Sequence, residues 1–448
     1  MNSQSTIVAL ASPPGVGAVG LLRISGPDAA KISSSTFQGR KRDRWVARTQ
    51  HLGRIVDAAG ETIDEVLLTW FPGPASFTGE EIVEIACHGG VVVTGRLLNR
   101  FLEAGCEPAE PGEFSRRAFE NGRLDLTQAE AIMDLISAQT ELAARAANEQ
   151  LSGRLGEAIE AIRKDLIGLT AHLEAYIDFP EEDIDPDSAE ALENRGKEIL
   201  SAIDKLLSTA DQGRVLREGL RTVIAGAPNA GKSSLLNLLL GFDRAIVNEQ
   251  AGTTRDTIEE VINLEGIPIR LIDTAGIRES GEAIESQGIE RSREQIARAE
   301  LVLQIIDGSA PESSARAVEI PEGTRVLRIL NKSDLPRHAD WEGDEAISIS
   351  CHAEGAAAEI RKQLHAFLTR KGAVSSTSLA AINARHQHCL LRAKENLERA
   401  LENLAAHESP EFIALDLRAT LDAVGDVVGK TDVEEILGEI FSTFCIGK

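Results

Sequence analysis

Short apolar runs with alternating polar positions open the chain at residues 6–11, 19–24, 65–71 and 81–87, the period expected of half-buried strands. Turns such as Pro13-Pro14-Gly15 and Pro72-Gly73-Pro74 separate them. Residues 91–104 switch to a helical repeat. Together these predict a compact α+β domain over residues 1–120. From about Arg123 onward Ala, Leu, Glu and Gln dominate, and Ile132, Leu135, Ile136, Leu142, Ile159, Ile162, Leu166 and Leu169 recur at helical spacing. Residues 121–217 therefore read as a first all-α block. Its acidic interruption at 178–187 lacks the central glycine of an EF-hand loop and reads as a solvated connection between helices. Apolar runs at 221–225, 269–272, 301–306, 326–330 and 346–349 then alternate with helical stretches, as in a doubly wound parallel sheet over residues 218–375. Helical spacing returns between about Leu379 and Phe444, within residues 376–448. Because helical sequence flanks the βα alternation on both sides, the predicted architecture is multidomain, α/β and α+β. An N-terminal α+β domain precedes a split all-α domain into which a doubly wound domain is inserted.

Length and charge narrow the function classes. At 448 residues the chain exceeds what one hydrophobic core usually organises. The net charge of −24 argues against a basic nucleic-acid clamp or a polybasic membrane patch, so any RNA contact must be local or shared with a basic partner. Residues 1–120 are nearly balanced in charge, which places the acidity elsewhere. Cys87, Cys106, Cys351, Cys389 and Cys445 are scattered singly, without CxxC or zinc-finger spacing, and imply a reducing compartment and no structural zinc. The N-terminus does not read as a signal peptide, and the densest apolar run, 235–240, is interrupted by Asn237. A cytoplasmic protein with no membrane partner is expected.

Residues 226–233, Gly-Ala-Pro-Asn-Ala-Gly-Lys-Ser, fit GxxxxGK[ST] directly between a strand run and a helical run. Glycines at these positions let backbone N–H groups turn toward phosphate oxygens at a helix N-terminus. Lys232 would carry charge to the β/γ-phosphates and Ser233 a hydroxyl to Mg²⁺. Asp273-Thr274-Ala275-Gly276 ends another strand run, where a carboxylate holds Mg²⁺ through water and a glycine N–H senses the γ-phosphate. Thr253-Thr254-Arg255-Asp256 lies between the two, as a switch segment would. Asn331-Lys332-Ser333-Asp334 follows the run 326–330. Asp334 can accept from the N1–H and exocyclic amine of guanine, a pairing adenine does not offer. Each motif has a bland reading as a turn or helix cap; four in this order, each at a strand end, predict a GTPase domain. Ile277 occupies the position where many GTPases place a water-orienting glutamine, so the catalytic group must lie elsewhere, and Glu285 is one of several carboxylates available between Arg278 and Glu290.

Across essentially its whole length the sequence resembles the tRNA-modification GTPase family MnmE, also called TrmE. The likeness rests on TIVALASPPG…LLRISG, FPGPASFTGEE, HGG at 88–90, EPGEFSRRAF, LDLTQAEAI, GAPNAGKSS…AGTTRD…DTAGIRE and the final FCIGK. The resemblance implies a tetrahydrofolate-binding N-terminal domain that dimerises, a split helical domain and an inserted Ras-like G domain. It also implies work with an FAD-dependent MnmG-type partner to add an aminomethyl or carboxymethylaminomethyl group at carbon 5 of the wobble uridine of certain tRNAs. It implies GTP hydrolysis activated by K⁺ and by face-to-face G domains, with Asn229 and the loop of Asn248, Glu249, Gln250, Ala251, Gly252 and Thr253 beside K⁺, and Ser233 and Thr254 on Mg²⁺. The GTP site would further include Ala230, Gly231, Ser234 and the base-supporting Ser350-Cys351-His352, which stands where Ser-Ala-Lys or Ser-Ala-Arg is usual.

The same resemblance singles out Glu285 as the residue that aligns the attacking water, and assigns Arg23, Glu80, Arg123 and Lys448 to a tetrahydrofolate derivative in its 5,10-methylene or 5-formyl form. Cys445 would then lie near the one-carbon unit, as a chemical thiol or as a small apolar anchor beside Phe441 and Phe444. A ribosome-assembly GTPase and a folate-binding regulatory GTPase without chemistry of its own are the rival readings; the first is disfavoured by the absence of a basic domain after the G motifs.

Overall fold

A computed structural model describes residues 5–39, 45–178, 189–241, 260–272, 295–314, 320–344, 346–370, 381–430, 434–442 and 444–448. In chain order its first part runs β1 (Ile7–Leu10), β2 (Val19–Ser25), α1 (Ala29–Thr36), β3 (Phe37–Gly39), β4 (Gln50–Val56), β5 (Thr62–Phe71), β6 (Ile82–His88), α2 (Val91–Glu103), β7 (Glu107–Pro108) and α3 (Glu113–Glu120). Helices α4 (Leu126–Ser137), α5 (Glu141–Leu151), α6 (Arg154–Asp178), α7 (Ala189–Leu207) and α8 (Ala210–Glu218) follow. Next come β8 (Leu220–Ala225), α9 (Lys232–Leu240), β9 (Glu260–Leu264), β10 (Ile267–Leu271), β11 (Leu301–Asp307), β12 (Arg325–Asn331), β13 (Ile347–Ser348) and α10 (Ala356–Arg370). Helices α11 (Ala384–Ala405), α12 (Pro410–Val428) and α13 (Glu434–Ser442) close the order. The chain divides into two compact units: Met1–Met133 with Gly153–Thr170 and Leu417–Lys448, and Asp134–Ser152 with Ala171–Asp416.

The first unit is built on a seven-stranded sheet, β3-β4-β5-β6-β2-β1-β7, antiparallel except where β7 joins β1. Val83, Ile85 and Cys87 of β6 point to one face and pack with Leu97 and Phe101 of α2, as the two-residue period of a strand requires. Gly20 lets α2 approach β2 closely: a Cβ there would lie 2.7 Å from Thr94 Cγ2. Helices α1 and α3 and strands β3, β4 and β7 are absent from the hydrophobic pattern, being short or rich in polar residues. Phe441 and Phe444 pack with Ala129. The following residues are not helical: Ile446 bridges Pro111, Lys448 N turns back onto Cys445 O at 3.2 Å, and Phe114 N donates to Lys448 O at 3.2 Å.

The second unit holds a six-stranded sheet, β13-β12-β11-β8-β10-β9, parallel except for the antiparallel β9–β10 hairpin. Both faces are covered, which is why its strands read as continuous apolar runs. Leu301, Leu303 and Ile305 join the core that contains Leu235, Leu239, Ile360 and Leu364, whereas Val302 joins the opposite cluster with Val223, Ala225 and Ile296. The hairpin strand β9 was not evident from the apolar runs. Helix α11 begins with a capping box, Asn383 and His386 each bonding the other's backbone. Among the described residues no helix is long and apolar enough to cross a membrane.

Candidate functional site

Strand order reverses on either side of β8, and the loop leaving its carboxyl end is the glycine-rich segment 226–231. Ligand sites of open α/β sheets lie at such switch points. Asn229 takes φ 60° and Gly231 φ 108°, so the loop turns through left-handed backbone before entering α9 at Lys232. Glycine is required at Gly226 and Gly231 for space as well: a Cβ would overlap Ile305 O in the first case and the Asn331 side chain in the second. Lys232 Nζ donates to Gly226 O at 3.0 Å and Ala227 O at 2.9 Å, so its ammonium sits over the loop. Asn229 and Ser233 are exposed, Ser234 is half-buried and Ala230 is buried.

Two further loops converge on the same sheet edge. Asn331, buried at the end of β12, donates Nδ2–H to Ala230 O at 2.9 Å and accepts from Cys351 N at 3.0 Å. One side chain thereby ties the phosphate-type loop to 331–334 and to 350–352. Ser333 N donates to Ile349 O at 3.1 Å. Ser333, Asp334 and His352 are exposed, while Ser350 and Cys351 are buried. The Ser350 hydroxyl, followed by Asp334's own backbone N–H, holds the Asp334 carboxyl below its ordinary value, so it stands ready as an acceptor of two hydrogen bonds.

A second constellation lies in the first unit. Arg23 Nη1 donates to Gly447 O at 3.3 Å, its Nη2 pairs with Glu84 at 2.8 Å, and its guanidinium stands 5.5 and 5.7 Å from the ring centres of Phe77 and Phe114. Glu80 accepts from the Ser25 hydroxyl at 2.7 Å and from Arg117 at 3.2 Å. Arg123 is exposed at its residue level and donates Nε–H to Ser76 O at 3.1 Å, while Ser76 Oγ donates to Glu80 O. Lys448 is carried in by the tail through its carbonyl on Phe114 N. Arg23 and Lys448 thus share Phe114 as a neighbour, Glu80 and Arg123 share Ser76, and Cys445 is exposed three residues before Lys448. Among the described residues no group of three or more His, Cys, Asp or Glu is placed to hold a metal ion.

Residues 6–123 match the family described as GTP-binding protein TrmE N-terminus, and residues 126–445 match the MnmE helical domain. The chain is 49% identical to the tRNA modification GTPase MnmE of Akkermansia muciniphila over 100% of both chains. It is 41% identical to the protein of that name from Geobacter metallireducens, again over 100% of each, and 41% identical to that of Thermoanaerobacter sp. strain X514 over 99% of each. The chain belongs to the MnmE family of tRNA modification GTPases.

Of the residues that the MnmE resemblance singles out, the structure brings together Asn229, Ala230, Gly231, Lys232, Ser233 and Ser234 with Asn331 to Asp334 and Ser350 to His352, and separately Arg23 with Lys448, and Glu80 with Arg123. Asn248, Glu249, Gln250, Ala251, Gly252, Thr253, Thr254, Asp273, Thr274, Ala275, Gly276 and Glu285 lie outside the described residues. Sequence reasoning missed Arg117. It is buried, donates to Glu80, to Glu113 at 2.7 Å and to Ser5 O at 2.7 Å, and orients the Glu80 carboxylate. Its only sequence signal is an arginine four residues after a glutamate within a helix that must also bury Phe114.

Proposed function

We propose that this chain hydrolyses GTP as a homodimer and, with an FAD-dependent MnmG-type partner, adds an aminomethyl or carboxymethylaminomethyl group at carbon 5 of the wobble uridine of certain tRNAs. In this reading residues 1–120 bind a tetrahydrofolate derivative and dimerise, 121–217 and 376–448 form the helical domain, and 218–375 are the GTPase. The observation that carries it is the seating of the 444–448 tail on the N-terminal sheet, where Arg23 bonds Gly447 O in a chain that also builds a guanine-nucleotide edge.

Each residue has a chemical part in this reading. Lys232 and the N–H groups of 229–234 bind the phosphates, Asp334 reads guanine, and Ser350 orients Asp334. The exposed Ser233 hydroxyl at the start of α9 suits Mg²⁺, with Thr254 as its second protein ligand. Asn229, exposed in left-handed backbone, suits K⁺ together with Asn248, Gln250 and Thr253; a cation there supplies the charge that an arginine finger supplies elsewhere. Glu285 orients the attacking water. In the first unit, a carboxylate held by Arg117 suits a pterin with N–H donors, and Arg23, which stands over the rings of Phe77 and Phe114, suits its carbonyl and carboxylates together with Arg123 and Lys448. When bound, the folate supplies a one-carbon unit, and Cys445 is the thiol closest in sequence to the residues that receive it. Val16, Val19, Val91 and Val92 are exposed on segments joined by the Gly17 N to Gly89 O bond, an apolar patch that supports dimerisation through this unit.

Mass spectrometry of wobble nucleosides from a deletion strain tests the reading. Restoration of the modified uridine by the wild-type chain, but not by Glu285→Ala that still binds GTP, is expected. A ribosome-assembly defect with normal wobble nucleosides would overturn it, and full modification by Cys445→Ser would remove the thiol from the chemistry.

A further inference from the structure

The doubly wound sheet brings one more charged side chain to the nucleotide edge. Asp307 ends β11 and lies opposite Asn331 in the parallel ladder. Its Oδ2 accepts from Lys332 Nζ at 2.6 Å, and its Oδ1 accepts from Ser309 N at 3.0 Å and Ser309 Oγ at 2.6 Å. Desolvation favours the neutral acid, but the bonds from Lys332 and Ser309 outweigh it and hold the carboxyl below its ordinary value, so both oxygens remain acceptors.

The loop that carries Asp307 is fixed from behind. Gly308 N donates to Asn331 O at 3.0 Å, His338 N to Gly308 O at 2.9 Å, and the Trp341 indole N–H to Ala310 O at 2.8 Å. Lys332 itself adopts φ 64°, backbone that a residue with a Cβ avoids unless its surroundings impose it. Here the turn is imposed by Ser333 N on Ile349 O and Leu335 N on Lys332 O, and the lysine's ammonium ends on β11 rather than in solvent. A partly exposed ion pair of this kind contributes little to stability, which leaves its fixed geometry unexplained by folding alone.

We propose that Asp307 is a positioning residue for guanine-nucleotide binding: it pins the Lys332 ammonium, so that the four-carbon stem of Lys332 forms a fixed apolar wall beside the base that Asp334 reads. The proposal rests on the reading of 331–334 as the guanine-recognition loop. A lysine held at both ends has already given up its rotamer freedom before nucleotide arrives, whereas an unpinned one gives it up on binding.

The full-length chain is tested with a fluorescent GDP analogue as the probe. Asp307→Asn keeps the side-chain shape and an acceptor for Ser309 while removing the charge. It is expected to weaken analogue binding about 10-fold, the scale of one charge-assisted hydrogen bond. Single-turnover GTP hydrolysis at saturation is expected to stay within about 2-fold, because the lost contact acts on binding rather than on the transition state. Lys332→Met is expected to weaken binding as well, and adding Asp307→Asn to it is expected to change affinity by less than about 2-fold, since the carboxylate acts only through the lysine. Equal effects of Asp307→Asn in the two backgrounds, or unchanged affinity beside normal wild-type binding, would overturn the positioning role alone. A wild-type chain that does not bind the analogue would overturn the guanine reading with it. A melting curve shared by Asp307→Asn and wild type supports the role by showing that lost affinity is not lost folding.

Discussion

Replacing Asn331 by alanine removes the side chain that joins three loops, and its cost follows from what is left behind. The amide donates to Ala230 O and accepts from Cys351 N, and Asn331, Ala230 and Cys351 are 4%, 1% and 8% exposed. Truncation leaves a buried carbonyl and a buried N–H without these partners, at about 1–3 kcal/mol each, so the unit should lose about 2–6 kcal/mol. Asn331→Asp keeps the acceptor for Cys351 N but turns a carboxylate oxygen toward Ala230 O, and should cost at least as much as the alanine. Of the three tryptophans, Trp45 and Trp70 belong to the first unit, so Trp45→Phe with Trp70→Phe makes buried Trp341 a reporter of the second. Urea unfolding of the full chain without nucleotide, which avoids linkage to ligand, then reads the loss as a lower midpoint at constant slope. A loss below about 1 kcal/mol in both variants would refute the role of Asn331 as a strut between the loops.

Lys232→Met should weaken GTP binding by about 100-fold or more, read with a fluorescent GTP analogue, while shifting the melting curve little, because its bonds to Gly226 O and Ala227 O lie in a partly exposed loop. Arg117→Met should destabilise the first unit by about 3–5 kcal/mol, because Glu80 and Glu113 stay behind in a site that is 16% and 19% exposed. Adding Glu80→Gln should recover part of that loss in Trp45 and Trp70 fluorescence, and equal costs of Glu80→Gln in both backgrounds would refute the pairing. At pH 8 a disulfide reagent should modify Cys445 first and alone. Burial pushes Cys87 and Cys351 up to about 11 and Cys106 up to about 12, so almost no thiolate forms there, and Cys389 is buried too; a second fast thiol would contradict the packing.

The glycine-rich loop after β8 and the loops that meet it were legible because their demands are local. A glycine where a Cβ would meet Asn331, a lysine at the first turn of α9 and an aspartate after an apolar strand each leave a mark at fixed spacing. The long parallel strands were legible for a similar reason, both faces of β11 being apolar. Residues whose role depends on a distant neighbour left no such mark. Arg117 meets Glu80, 37 positions away, only after the sheet forms, and Asp307 differs from the other acidic residues only by the register that sets it opposite Asn331. Strand β9 was hidden by Glu260 and Asn263, which break its apolar run, and α3 by its polar composition.

The bond from Arg23 to Gly447 spans 424 positions of sequence. At a synthesis rate of about 5–20 residues per second, about 20–85 s pass between the emergence of the two ends of that contact. During that interval the face formed by β1, Phe114 and the Arg23 guanidinium lacks its cover from Ile446 and Gly447. The second unit, interposed between Thr170 and Leu417, has time to fold first. Once folded, it leaves fewer free residues between Thr170 and Leu417 and so lowers the loop-closure entropy of the tail contact. A substitution that unfolds the nucleotide-binding sheet should therefore slow maturation of the N-terminal constellation without touching any residue in it.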